Sequence, residues 1–195
     1  MAKNVIVLLA EGFEEVEAIT PIDYLRRAGI EVTVASIGKE LAVTGSHGIK
    51  VTADICLDSF LDPGTQNLEV CDGVVVPGGL PGADNLAASK ATGAFLKEMA
   101  VSGKLVSAIC ASPARVLAPL GLLEGKKFTC YPGEEAKVSN AEWKQDRVVV
   151  DGNVITSRGA GTAGEFACAI VDRLLGEGEG KKISDKVLLP CIPLH

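Results

Sequence analysis

Residues Val5–Ala10 (VIVLLA) form a near-continuous apolar run with none of the polar alternation of a half-solvated strand. A run of this kind suits a parallel strand covered on both faces. A helical pattern follows over Glu14–Ala28, with Val16, Ile19, Ile22 and Leu25 on one side. Pro21 is expected to kink this helix or mark its real start, and Gly29 to stop it. Ile30, Val32 and Val34 then alternate with Glu31 and Thr33 as a strand. A β-α-β unit is therefore complete within the first 36 residues.

The same grammar continues along the chain. Val43–Ala53 reads as a hairpin excursion and Cys71–Val76 as another buried strand, ending in Pro77-Gly78-Gly79. Ala83–Ser102 is helical, Lys104–Ile109 is a strand running directly into Cys110, and Pro113–Leu123 is a short helix. Phe128–Cys130 and Arg147–Val150 read as strands, and the turn Asp151-Gly152-Asn153 leads into a strand at Val154–Thr156. Ala163–Leu175 is the last clear helix. Alternating strands and helices imply an α/β sandwich with a mainly parallel sheet. The length of 195 residues suits one domain, 1–195. Within it, Gly176–Gly180 is a flexible break. The apolar tail after it is expected to dock on the body or on a partner subunit.

Composition excludes several classes. Apolar residues make up 47% and charged residues 23%, so disorder is not expected. Nineteen basic against 25 acidic residues leave a net charge of −6, without the basic face of a nucleic-acid or anionic-membrane binder. No apolar run reaches the roughly 20 residues that a membrane span needs. The start meets Glu11, Glu14 and Glu15 at once and lacks a small-residue cleavage site, so a strand rather than a signal peptide is expected. The six cysteines, at 56, 71, 110, 130, 168 and 191, contain no C-x-x-C pair and read as free thiols in the cytoplasm. No His/Cys cluster has metal-ligand spacing, so neither metal nor cofactor is expected.

Chemistry concentrates at a few places. Gly159-Ala160-Gly161-Thr162-Ala163-Gly164 matches the dinucleotide pattern, but no further parallel strand with a terminal acid follows it, so it reads as a tight strand-to-helix turn. Ala108-Ile109-Cys110-Ala111-Ser112-Pro113 is the stronger signal. Cys110 falls where an apolar strand meets a helix, with small residues two places before and after it, as in a nucleophile elbow. A thiol at a helix N-terminus has its thiolate favoured by the dipole and by free N–H groups. A buried structural cysteine is the bland alternative. Gly78-Gly79 serves equally as a plain turn or as a close backbone approach, in which the Gly79 and Ala111 N–H groups could form an oxyanion hole. The acids Glu14, Glu15 and Glu17 suit a first helical turn, and one of them could also face the thiol.

Together, residues 10–17, Pro21–Gly29, Val76–Asn85, Ala108–Pro113 and Ser157–Phe166 resemble the ThiJ/PfpI superfamily, in the branch of Parkinson disease protein seven and YajL. The likeness runs in one order over residues 3–175. It implies a flavodoxin-like sandwich, a homodimer, a reactive cysteine at Cys110 and a cysteine-contacting glutamate at Glu17. It also implies oxyanion-type backbone groups at Gly79 and Ala111. Gly78, His47 and Tyr131 fall where substrate contacts are expected. Two departures matter. Ala111 stands where superfamily peptidases carry histidine, so a Cys-His peptidase is not expected. Tyr131 and His47 replace a histidine and an arginine common in the branch. The resemblance implies glyoxalase III-like or deglycase chemistry on 2-oxoaldehydes such as methylglyoxal and glyoxal, or on their early adducts. Its rival is a redox-sensing or chaperone-like stress role in which oxidation of Cys110 is the signal.

Overall fold

The computed structural model describes residues 2–62, 64 and 67–190, so Cys191 and His195 lie outside it. The first unit is β1 (Asn4–Leu9), α1 (Glu15–Arg27) and β2 (Glu31–Ser36). A hairpin of β3 (Ala42–Thr44) and β4 (Lys50–Thr52) comes next, then β5 (Ile55–Cys56) and the short helices α2 (Leu57–Phe60) and α3 (Asn67–Val70). The chain continues through β6 (Gly73–Val76), α4 (Gly82–Ala88), α5 (Lys90–Val101) and β7 (Leu105–Ile109). A small parallel pair, β8 (Lys127–Phe128) with β9 (Glu142–Trp143), stands apart from the main sheet. The last elements are β10 (Val148–Asp151), β11 (Val154–Ser157), α6 (Ala163–Leu175) and α7 (Glu179–Lys186).

The main sheet has the order β10-β11-β7-β6-β1-β2-β5. Every pairing in it is parallel except β10 with β11. Its inner five strands follow the flavodoxin-like order, with β5 and β10 as short edges. Side chains alternate between two cores, as a period of two requires. Ile6, Leu8, Val74, Val76 and Val106 pack with Leu86, Phe95, Leu96 and Met99 of α4 and α5. Val5, Val7, Leu9, Val75 and Ile109 pack with Leu25 of α1 and with Phe166 and Ile170 of α6. The result is a three-layer α/β sandwich. No helix among the described residues is long and apolar enough to cross a membrane.

Four sequence expectations change in the structure. Of the two expectations for Pro21, only that of a helix start is overturned: α1 is continuous through it, because its start is set upstream where the Glu14 carboxylate caps the Glu17 N–H at 2.7 Å. The single helix expected over Ala83–Ser102 is two, because Ser89 adopts an extended conformation and its Oγ accepts the Thr92 N–H at 3.2 Å, capping a new helix. The helix expected over Pro113–Leu123 is a wide π-type turn over Pro113–Leu117 that tightens to a 3-10 turn over Ala118–Leu120. The strand expected at Phe128–Cys130 is only the two-residue β8, outside the main sheet. At the chain's end, α7 begins inside the expected flexible break. Ile183 is buried in the α1/α6 core, Val187 packs against it, and Leu189 lies against Gly164. The described part of the tail thus docks on the chain's own body.

The Ser89 cap has a measurable consequence. Ser89→Ala should lower stability by about 1 kcal/mol, the usual worth of a lost cap, read as a shift of the urea midpoint at constant slope. An unchanged midpoint would mean that packing alone separates α4 from α5.

Candidate active site

Strands β1, β6 and β7 are parallel neighbours, so their C-terminal ends share one sheet edge. The sheet grows in opposite directions from β1, with β2 on one side and β6 on the other. Open α/β sheets form their crevices at such a switch point. The loops that meet there carry Glu14–Glu17, Pro77–Gly79 and Cys110–Ser112.

Cys110 leaves β7 with φ of 65°, in the left-handed region that a residue with a Cβ enters only at a cost of about 1–3 kcal/mol. Neighbouring segments hold it there. Its N–H donates to Ser157 O at 3.0 Å, and its carbonyl accepts the Tyr131 N–H at 2.8 Å. One residue past Ala111, the Ser112 hydroxyl donates to Pro77 O at 2.6 Å, tying the elbow to the end of β6. Arg115 clamps the following turn, with Nε on Glu134 at 2.8 Å and Nη1 on Asp84 at 2.7 Å. The N–H groups of Gly79 and Ala111 both donate to the Cys110 sulfur.

The three acids of the E-E-V-E run do three different things. Glu14 caps α1. Glu15 accepts the His47 N–H at 2.8 Å and pairs with His47 Nδ1 at 2.9 Å. Glu17 is 1% exposed and hydrogen-bonds the Cys110 side chain. Its carboxylate also accepts the Gly78 N–H at 2.9 Å and the Ala160 N–H. Space here demands glycine. A Cβ on Gly78 would lie 2.6 Å from Cys110 Cβ and 2.7 Å from Glu17 Oε2. Gly79 has φ of +86°, and a Cβ there would strike the backbone of Glu14.

Electrostatics separates these groups. Burial pushes the Glu17 carboxyl up to about 7; the hydrogen bond to Cys110 lowers it and the charge of Glu14 raises it. Burial would also raise Glu15, but the hydrogen bonds from His47 and Ile49 outweigh it and bring that group to about 2. The Cys110 thiol is pushed up to about 12, first by burial and then by the charge of an ionised Glu17, against the pull of the Gly79 and Ala111 N–H groups. The expectation of a thiol lowered by a helix dipole is therefore not met. The turn after Cys110 is too short and irregular for aligned peptides to sum, and burial is the larger effect. A neutral Glu17 removes the charge that raises the thiol and presents a proton to the sulfur. The two groups titrate as a pair.

Of the expected site residues, Cys110, Glu17, Gly78, Gly79 and Ala111 come together. Tyr131 joins them through its N–H on Cys110 and its ring beside Gly159. His47 does not. Its ring is held by Glu15 on the β3-β4 hairpin side, and no contact among the described residues joins it to Cys110. Glu14, Glu15 and His47 are the one group of potential metal ligands among the described residues whose ligand atoms lie within 4.8 Å of one another. Their carboxylates are already engaged in the cap and the ion pair. The Ala160 N–H was not expected at the site. Its signal was present in the glycine-rich turn at 159–164, which follows β11 on the same sheet edge.

A profile of the DJ-1/PfpI family matches residues 3–173. The chain belongs to the DJ-1/PfpI family. Among its relatives is Protein DJ-1 homolog B of Arabidopsis thaliana, 43% identical over 186 residues and 95% of this chain. The chain spans only 41% of that protein's length. Glutathione-independent glyoxalase DJR-1.2 of Caenorhabditis elegans is 35% identical, over 96% of this chain and 95% of the relative. The solved structure of oxidized DJ-1 from Toxoplasma gondii superposes with a TM-score of 0.89 at 40% identity, covering 96% of this chain and 98% of that one.

The buried acid leaves a signature in stability. Its folded value of about 7 lies above its ordinary 4.5, so between these pH values the unfolded chain releases a proton that the folded chain keeps. Stability from this group is then full below the lower value and is lost as pH rises through the upper one, by about 3 kcal/mol in all. Glu17→Gln does not titrate. It should gain on wild type as pH rises from about 4.5 to about 7 in urea denaturation, and hold that gain above it. Parallel curves across that window would mean that Glu17 ionises as freely in the fold as in the unfolded chain.

Proposed function

We propose that the protein is a cysteine-dependent enzyme acting on 2-oxoaldehydes, such as methylglyoxal and glyoxal, or on their early adducts, without a cofactor. One observation carries this reading: Cys110 on a strained elbow shares a hydrogen bond with a buried acid poised near neutrality, under two backbone N–H donors. The printed name of the Caenorhabditis elegans relative supports the substrate class. In the proposed reaction, Glu17 as the neutral acid hydrogen-bonds the sulfur and favours the thiolate. The thiolate adds to the aldehyde carbon, and the resulting oxyanion takes a proton to give a hemithioacetal. The Gly79 and Ala111 N–H groups face that oxyanion. Glu17 as carboxylate then removes the proton on the former aldehyde carbon and returns one to the adjacent carbon, while the hemithioacetal hydroxyl proton passes to the neighbouring carbonyl oxygen, leaving the thioester of a 2-hydroxy acid. Water hydrolyses the thioester, which releases the 2-hydroxy acid and restores the thiol. A peptidase mechanism is disfavoured by Ala111, since no imidazole directly follows Cys110 in the chain and none among the described residues stands beside the thiol to protonate a leaving amine.

A redox role at the same site is the second reading, because the same donors would bind the oxygens of an oxidised sulfur. The proposed setting is a cytoplasmic homodimer with small reactive carbonyl substrates as its ligands and no nucleic-acid or membrane partner. The five described cysteines are free thiols, which fits a reducing compartment. Val16 and Ile19 stand exposed on α1, and two-fold dimers are the commonest oligomers. Light scattering at micromolar concentration should therefore give twice the 20.2 kDa chain mass. A monomer mass would remove the dimer.

The reaction is tested at its two side chains. Cys110→Ala should abolish methylglyoxal turnover. Glu17→Gln keeps a donor to sulfur but has no proton to transfer, so thiolate absorbance should survive while turnover falls by about 10²–10⁴-fold. Glu17→Ala should lose both. A thiol that ionises more readily in both Glu17 variants would instead make Glu17 a resident negative charge. Under brief dilute peroxide, Cys110 should oxidise before Cys56, Cys71, Cys130 and Cys168, as read by peptide mass spectrometry. Earlier oxidation of Cys56 would argue against a special elbow.

A further inference from the structure

A cleft of about 400 Å³ opens beside the catalytic pair, lined by Tyr131, Pro132, Arg158, Gly159, Ala160 and Thr162 among others. It shares a wall with the site. Tyr131 is bonded through its N–H to Cys110, and Ala160 through its N–H to Glu17. A Cβ on Gly159 would lie 3.5 Å from the Tyr131 ring and 3.8 Å from Glu17 Oε1. The cleft's volume is in the range of pockets that hold drug-sized ligands.

Two arginines line this cleft, and they are not equivalent. Arg147 is committed: it pairs with Glu165 at 2.7 Å and donates to Gly161 O at 2.6 Å. Arg158 donates from Nη1 to Gln145 O at 3.1 Å and forms no ion pair among the described residues. A guanidinium stays charged and presents five N–H donors in a fork that fits a carboxylate. Arg158 thus places a permanent cation with spare donors in a cleft whose wall, at Gly159 and Ala160, adjoins Glu17.

We propose that this cleft is a subsite for an anionic end of the carbonyl substrate, a carboxylate, and that Arg158 is the residue that selects it. The proposal rests on the carbonyl-enzyme reading for its substrate, but anion binding can be measured without turnover. The specificity test compares 4,5-dioxopentanoate with its uncharged counterpart 2-oxopentanal. Wild type should favour the charged aldehyde in kcat/KM by about 10-fold, the scale of one hydrogen bond to a charged group, with the difference in KM. Arg158→Gln should erase this ratio and Arg158→Lys should keep part of it. A merely structural role for Arg158 would lower both rates and leave the ratio unchanged. The binding test uses levulinate, an unreactive keto acid, with the Cys110→Ala protein in saturation-transfer NMR. Levulinate should bind, 2-pentanone should not, and adding Arg158→Gln should abolish the signal. Arg158-dependent levulinate binding with neither aldehyde turned over would keep the subsite and overturn the enzyme reading. Turnover of both aldehydes at one ratio in wild type and Arg158→Gln, without levulinate binding, would overturn the subsite and keep the enzyme.

Discussion

The backbone of Cys110 is held in a conformation that β-carbon-bearing residues avoid, and the rest of the site is arranged around that elbow. Its N–H is fixed by Ser157 of β11, its carbonyl by Tyr131, and Ser112 is tied to Pro77 at the end of β6. These anchors come from three separate segments, which the parallel sheet brings to one edge. The crowding they create leaves no room for a Cβ at Gly78 and brings the Gly79 and Ala111 N–H groups onto the sulfur. Strain of this size persists only where the surroundings over-determine it. Two dense apolar cores beneath the elbow, one on each face of the sheet, supply that rigidity.

Glu17 sits in the same confined space for a related reason. A carboxylate buried without a cation is costly, and the protein answers by shifting its titration toward neutrality and by supplying donors from Gly78 and Ala160. Two residues away, Glu15 has the opposite fate, because His47 and the hairpin backbone surround it with donors. The same residue type in one helical turn thus spans from about 2 to about 7. Helical geometry explains the division, since successive residues about 100° apart point into different surroundings. Glu14 meets the helix end, Glu15 the hairpin, and Glu17 the elbow.

The cleft beside Tyr131 extends this logic from reactivity to selection. In the proposed reaction a thiol and an acid would process any small activated carbonyl, so discrimination would come from the walls. Here the wall is the turn at Gly159–Thr162, whose resemblance to a dinucleotide fingerprint is one of glycine spacing alone. Thr162 Oγ1 accepts the Gly159 N–H at 3.1 Å, which folds the turn on itself and leads into α6. Its Ala160 N–H then serves a carboxylate rather than a pyrophosphate.

Much of this was legible in the chain. Apolar runs such as Val5–Ala10 specify strands covered on both faces, and their alternation with amphipathic helices specifies the layered sandwich. Small residues around Cys110 and paired glycines after β6 mark the elbow, because sterics there act over a few bonds and leave a local trace. Residue type also supplied the absence of histidine beside the thiol. Longer-range outcomes left no such trace. Sequence could not separate the roles of Glu14, Glu15 and Glu17 by physics, since the difference lies in what each meets across the fold. It set His47 among substrate contacts, and only the packed hairpin assigned that ring to Glu15. It read an elbow helix with a useful dipole, where packing produced a wide turn and burial governs the thiol. Local sterics and hydrophobic period are written residue by residue, whereas desolvation and the choice of hydrogen-bond partner are properties of the assembled neighbourhood, and those only the tertiary structure decided.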